Sequence, residues 1–411
     1  MIGTTPTSSW LGPGEEPMLS KGTAFDYKRL LLLGAIFLLA FGFRFYNVAK
    51  TSDYVFDENY HATTAINYVE KGFLGPDEWF HPPLRHLSMY LSLKVFGYNP
   101  YGWRMRNVIL GAATVTVLYL LSESLFGAGV ITYMSTGLLL LDPLHVATSR
   151  GSFDEIAAGF FLLSAVYFAL KAAKSESDLD LFLVGAMFGL SAALKWYAFL
   201  VLFFVLALLF FEQSSRVSWK SVFRLVSYLL MLPLTIYLLA YLPWFLRGNS
   251  LVSWLIMQKD AFWALERTTS AYFPSIELLQ ELGSPLTWFL RPINVSIEYA
   301  NGYFFTFMNN LPVWLFFLPS MAYFLYEGVR QRRFGYLLIC AAFLSMYIPF
   351  LVSSRPIFLY SSVPLLPFCF IAVAFAVDKV LGEYAYVFLA AAMAWSLFMY
   401  TFIARGARLL I

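Results

Sequence analysis

Residues 181–211 read LFLVGAMFGLSAALKWYAFLVLFFVLALLFF, an apolar run interrupted by one charge, Lys195. A bilayer core is crossed by about 20 helical residues, with a range of about 17–25. The run is too long for one straight crossing, so it predicts two short helices meeting at Lys195-Trp196. One strongly tilted helix is the alternative, and it would invert every later loop. Working outward, the rest of the chain has the same character: of 411 residues 60% are apolar, 19% aromatic and 13% charged, with a mean hydropathy of +0.67. A soluble globule of that composition would precipitate. The fold class expected is an all-α integral membrane protein.

Apolar runs predict eleven transmembrane spans, near residues 29–46, 107–125, 128–146, 152–170, 181–194, 196–211, 225–245, 304–326, 334–352, 356–377 and 384–404. The first is short, Leu30 to Phe43, and reaches spanning length when Arg29 and Arg44 extend to opposite interfaces. Basic residues near span ends and in short loops set the orientation. With a cytoplasmic N-terminus the inner segments hold twelve against five outside. The domain reading is a cytoplasmic segment 1–28, a membrane domain 29–404 with long outer loops 47–106 and 246–303, and an outer tail 405–411. Glu15 and Glu16 precede any apolar run and no small-residue cleavage pattern follows the first, so a removable signal peptide is not expected.

A net charge of +3, scattered rather than clustered, excludes a nucleic-acid partner. Cys340 and Cys369 lie in apolar runs without metal-ligand spacing and read as packing residues. Carriers place ionisable groups near mid-bilayer, whereas here the span centres are almost uncharged. Asp142, Asp154, Glu155, Lys195 and Arg355 fall at outer span ends, beneath the first long loop. That pattern favours an enzyme at a membrane surface over a transporter or flippase.

Within that loop, Asp57-Glu58 places two carboxylates side by side. Adjacent helical residues point about 100° apart, so each takes a different partner and one can accept a proton. His81-Pro82-Pro83-Leu84 fixes an extended backbone that would hold His81 rigidly at the interface. Arg44 ends the first span and Arg104-Met105-Arg106 opens the second, bringing guanidinium groups to phosphate depth. Pro143 should kink the outer connection, turning Asp142 and His145 toward a cavity, with Ser149-Arg150 and Asp154-Glu155 following.

Taken in order, Phe56-Asp57-Glu58, His81-Pro82-Pro83-Leu84, Met105-Arg106, Leu141-Asp142-Pro143-Leu144-His145 with Ser149-Arg150, Lys195-Trp196, Ser284-Pro285 with Arg291-Pro292, and Arg355 ahead of Phe358-Leu359-Tyr360 resemble the polyprenyl-phosphate-mannose–protein mannosyltransferases. These are glycosyltransferases of the GT-C fold, and the resemblance runs from about Arg44 to Pro367. It implies inverting transfer of mannose from a dolichyl- or polyprenyl-phosphate donor to Ser or Thr hydroxyls of proteins. It implies Asp57 as catalytic base with Glu58 beside it in the acceptor site. Arg106, Arg44, Arg355 and Lys195 would hold the donor phosphate, with His81, Asp142, His145, Arg150, Asp154 and Glu155 supporting the substrate site. Which of Asp154 and Glu155 turns inward is left open. No cofactor is obligatory; Asp57-Glu58 could hold Mg²⁺, but the chemistry does not require it, and no dedicated metal site is expected.

Arg85-His86 stands where the family commonly has Gly-Lys. The second outer loop is too short for the β-trefoil domain of eukaryotic members, which points to a prokaryotic plasma-membrane enzyme. A transferase adding the sugar to a lipid-linked glycan or membrane lipid is the alternative. The expected partners are the lipid donor, a protein or glycan acceptor and the bilayer; a dimer is an open alternative.

Overall fold

The structure is a computed structural model that describes residues 26–56, 58–75, 79–175, 177–213, 218–267, 285–299, 302–353 and 357–408. Asp57 and Arg355 lie outside the described residues, as do almost all of segment 1–28 and the end of the tail 405–411. The chain is mostly helical. In order it forms α1 Tyr27–Phe45, α2 Glu58–Lys71, α3 Leu84–Phe96, α4 Pro100–Phe126, α5 Val130–Leu140, α6 Pro143–Ser149, α7 Asp154–Ser175, α8 Asp178–Ala192 and α9 Tyr197–Gln213. Then come α10 Trp219–Ala240, α11 Leu242–Leu246, α12 Leu251–Arg267, a hairpin of β1 Asn294–Tyr299 and β2 Tyr303–Met308, α13 Leu311–Trp314, α14 Phe317–Arg330, α15 Phe334–Val352, α16 Leu366–Leu381 and α17 Ala385–Arg405.

Among the described residues, five segments are long and apolar enough to cross a membrane, or six if the bent pair α5–α6 is one span. One of the five, Leu359–Arg405, holds both α16 and α17. The eleven expected spans are therefore not all matched by full-length apolar helices. At 1.5 Å per residue, α8 is only about 22 Å long against a core of about 30 Å. α1 carries Lys28, Arg29 and Arg44 at its ends. The expected span 304–326 is corrected outright: residues 303–308 are strand β2, Asn309-Asn310 interrupt the chain, and helix resumes only as α13 and α14. Phe and Tyr fit a half-buried pleated surface, and β2 pairs with β1 instead of entering the bilayer.

The turn at Lys195-Trp196 does separate two helices, α8 and α9. Pro143 does break its helix: α5 and α6 meet at 53°, with the Asp142 carboxylate capping α6 by accepting from the His145 N–H at 2.9 Å. α7 packs on both α4 and α8, α16 on α5 and α14, and α1 on α4. α8 lies so close to α10 that a Cβ on Gly185 would meet the Tyr228 carbonyl oxygen at 1.8 Å. There α10 widens into a π-helical turn, Ser227–Met231. Helices α2 and α3 pack on each other, and α3 packs on α4, which sets the first long loop directly over the ends of α4 and α7.

Candidate active site

The loop before α2 is gathered by one side chain. Arg104, 1% exposed at the start of α4, donates to the carbonyls of Val48 (2.8 Å), Thr51 (2.9 Å) and Asp53 (2.8 Å). Its fork also pairs with Glu58, Nη2 to Oε2 at 2.8 Å and Nε to Oε1 at 3.0 Å. Glu58 Oε2 accepts in addition from the Val55 N–H at 2.8 Å. Burial pushes the Glu58 carboxyl above its ordinary range, with Arg104 opposing that shift. Phe56 has φ +54°, a left-handed conformation that costs a non-glycine residue about 1–3 kcal/mol. It is held by its N–H donating to the Tyr299 hydroxyl at 2.7 Å and by ring contacts with Phe153, Phe307, Phe358 and Tyr360. Both neighbours of position 57 are thus fixed.

Beside this loop lies a dry cluster of charges. Asp154, at the start of α7, takes Arg85 Nε on Oδ2 at 2.8 Å and Arg106 Nη2 on Oδ1 at 3.2 Å. Arg106 also donates to Ser88 Oγ (3.0 Å), the Arg85 carbonyl (3.2 Å) and Asn107 Oδ1 (3.0 Å). Next to Asp154, Glu155 pairs with Lys195 at 2.9 Å. The choice left open by the sequence resolves as both: Asp154 and Glu155 are each buried and each paired. Three cations and two carboxylates thus meet here, and guanidinium groups in such a cluster suit a phosphate. The Tyr197 hydroxyl, buried near both acids, has no hydrogen-bond partner among the described residues.

His61 on α2 completes the wall. Its Nδ1–H donates to the Ser152 carbonyl at 2.8 Å while Nε2 accepts from Arg85, so the ring is neutral. Burial, then Arg85, holds its pKa well below 6.5, and the same two causes act on buried His86. His81 lies at the entrance to α3 against Phe80, ring centroids 4.7 Å apart. The Leu84 N–H donates to the Ala193 carbonyl at 3.1 Å, tying the double-proline segment to the α8–α9 corner.

The structure places Arg44, Asp142, His145 and Arg150 in a separate, neighbouring cluster at the α5–α6 bend. Arg44 is 0% exposed; it donates to His145 Nδ1 at 2.8 Å, Ser149 Oγ at 3.3 Å and the Ala40 carbonyl at 3.0 Å. Asp142 Oδ2 accepts from Trp314 Nε1 at 3.0 Å. Arg150 caps the end of α1 through the carbonyls of Arg44, Tyr46 and Asn47. The segment 151–153 stitches the clusters together, since Asn107 Nδ2 donates to the Gly151 and Phe153 carbonyls at 2.6 and 2.7 Å.

Sequence reasoning gave no individual role to Arg85, Arg104, His61 or Asn107. Arg85 is the first charge after His81-Pro82-Pro83-Leu84 and Arg104 shares a tripeptide with Arg106, so proximity to a motif was the signal present. Among the described residues, no three His, Cys, Asp or Glu converge as metal ligands.

Comparisons with known proteins find relatives in sequence and in fold. Residues 80–244 match the family described as dolichyl-phosphate-mannose-protein mannosyltransferase. The polyprenol-phosphate-mannose–protein mannosyltransferase of Mycobacterium tuberculosis is 22% identical over 90% of this chain and 84% of its own length. That of Corynebacterium glutamicum is 22% identical over 80% and 78%. In three dimensions the protein O-mannosyltransferase Pmt1-Pmt2 complex of S. cerevisiae, bound to its sugar donor, superposes with a TM-score of 0.78 at 12% identity, covering 93% of this chain and 90% of that one. ArnT from Cupriavidus metallidurans, bound to undecaprenyl phosphate, gives 0.58 at 15% identity over 90% and 64%.

Proposed function

This chain is a multi-pass membrane glycosyltransferase of GT-C fold, similar in sequence to the protein mannosyltransferases, and from that premise we propose that it moves mannose from a polyprenyl-phosphate donor to Ser or Thr hydroxyls of proteins. The work is done at the outer face of a prokaryotic plasma membrane, with the N-terminus cytoplasmic. The observation that carries the reading is the buried Arg85–Asp154–Arg106 and Glu155–Lys195 cluster, which gathers three cations beside the pinned loop that leads to position 57.

A Ser or Thr hydroxyl is a weak nucleophile near neutral pH. Asp57 accepts its proton as the oxygen attacks the anomeric carbon, a contribution of typically ~10²–10⁴-fold. The carbon–oxygen bond to the lipid phosphate breaks on the opposite face, so configuration inverts, and the departing phosphate keeps the bonding electrons. Arg106 and Lys195, with Arg355, face that growing charge and stabilise it more than the ground state. Glu58 and Arg104 hold the loop that presents Asp57. Fully buried Arg44, with Asp142, His145 and Arg150, sets the bend that positions α7, and His81 borders the entrance.

Membranes containing the protein, given labelled polyprenyl-phosphate mannose, should put label into protein, and Asp57→Asn membranes should not. Label appearing only in organic-soluble glycolipid would replace a protein acceptor with a lipid-linked one.

A further inference from the structure

The hairpin that touches the catalytic loop has one edge in use and, among the described residues, one edge without a partner strand. β1 and β2 pair antiparallel, with Glu298 opposite Phe304 and Ser296 opposite Thr306. The Phe304 N–H turns away from β1, donating to the Gly406 carbonyl at 2.8 Å. In an antiparallel ladder, both members of such a pair point their main-chain groups outward, and the pattern repeats every second residue. Glu298 and Ser296 therefore direct N–H and C=O away from β2 on the far side of β1. No hydrogen bond to these four main-chain groups is present among the described residues. Glu298 is exposed and Ser296 half-buried, so the edge is accessible.

An unpaired edge of this kind is a template for another extended chain. Its position makes it specific: β1 ends at Tyr299, whose hydroxyl accepts the Phe56 N–H at 2.7 Å. A strand laid along Ser296–Glu298 would run out beside Phe56.

We propose that the acceptor polypeptide docks as a third strand on the free edge of β1, held by its own backbone, so that the residue just beyond the paired stretch presents its hydroxyl to Asp57. The inference rests on protein being the acceptor. Strand addition draws its affinity from main-chain hydrogen bonds, so the enzyme would take extended, unfolded segments over folded ones.

Glu298→Pro tests this directly. It deletes one outward N–H and no ladder bond, and proline is tolerated on sheet edges in that orientation. With polyprenyl-phosphate mannose as donor and a synthetic Ser/Thr peptide as acceptor, Glu298→Pro should raise the peptide KM about tenfold and leave the donor KM unchanged. Glu298→Ala, which keeps the N–H, should behave as wild type. A second test alters only the peptide: N-methyl groups on alternate amides should weaken binding to the wild-type enzyme for one parity and not for the other. An unchanged peptide KM for Glu298→Pro, or equal losses for both parities, overturns strand docking while the transferase reading stands. A wild-type enzyme that labels glycolipid and leaves peptides untouched overturns the protein-acceptor reading itself, and strand docking with it.

Discussion

Asp154 bridges two guanidinium groups in a dry place, and its two partners should respond differently to mutation. Arg106→Ala leaves Asp154 neutralised by Arg85 at 2.8 Å, so the protein should still fold while transfer drops by about 10²-fold or more; single-turnover transfer on purified protein reads this. Asp154→Asn removes the buried carboxylate that Arg85 and Arg106 share. The expected loss is about 3–5 kcal/mol of stability, seen as unfolding in detergent at lower denaturant or temperature. His61 supplies a pH signature. Its folded-state pKa lies well below 6.5, so the unfolded chain binds more protons below that value. The stabilisation is fully present above about pH 6.5 and is lost as pH falls, by up to about 1.4 kcal/mol per pH unit until the folded pKa is reached. Glu58, shifted upward, slopes the other way, so the informative quantity is the difference between wild type and His61→Gln. That variant should flatten the acid limb of the thermal-stability profile.

Helix contacts make predictions that no single charge does. Gly185→Ala would drive a methyl group to 1.8 Å from a backbone oxygen of α10, which no rotamer change can relieve. About 1–3 kcal/mol should be lost, measured by thermal unfolding, without any change at the charge cluster. The α5–α6 bend was legible because Asp142-Pro143 is both cap and breaker. The Lys195-Trp196 turn was legible because length alone forbade one straight helix. The hairpin was not: Tyr303–Met308 is almost continuously apolar, so it shows neither a period of two nor of 3.6, and a short apolar run cannot announce a strand.

Across the whole molecule, the sequence located the site as a set of motifs on one side of the membrane, and the structure assembles most of them around α2, α4 and α7. What one dimension could not show is depth. Arg44 and Arg106 read alike as arginines at span ends, yet Arg44 is sealed among carbonyls, Ser149 and His145 whereas Arg106 shares the Asp154 carboxylate with Arg85. Arg85 joined that cluster through folding alone, because α3 lays it against α7.

The gathering of three cations around Asp154 and Glu155 also bears on how each turn of the proposed reaction ends. The sugar-bearing lipid is a phosphodiester with one negative charge, while the spent carrier is a monoester approaching two near neutral pH. A pocket lined by Arg85, Arg106 and Lys195 grips the doubly charged spent carrier more tightly than the incoming one, so its escape, rather than bond cleavage, should set the steady-state rate. Burst kinetics, with a first turnover faster than those that follow and competitive inhibition by free polyprenyl phosphate, is the expected behaviour. A linear time course insensitive to added carrier would show that these cations do not hold the spent phosphate.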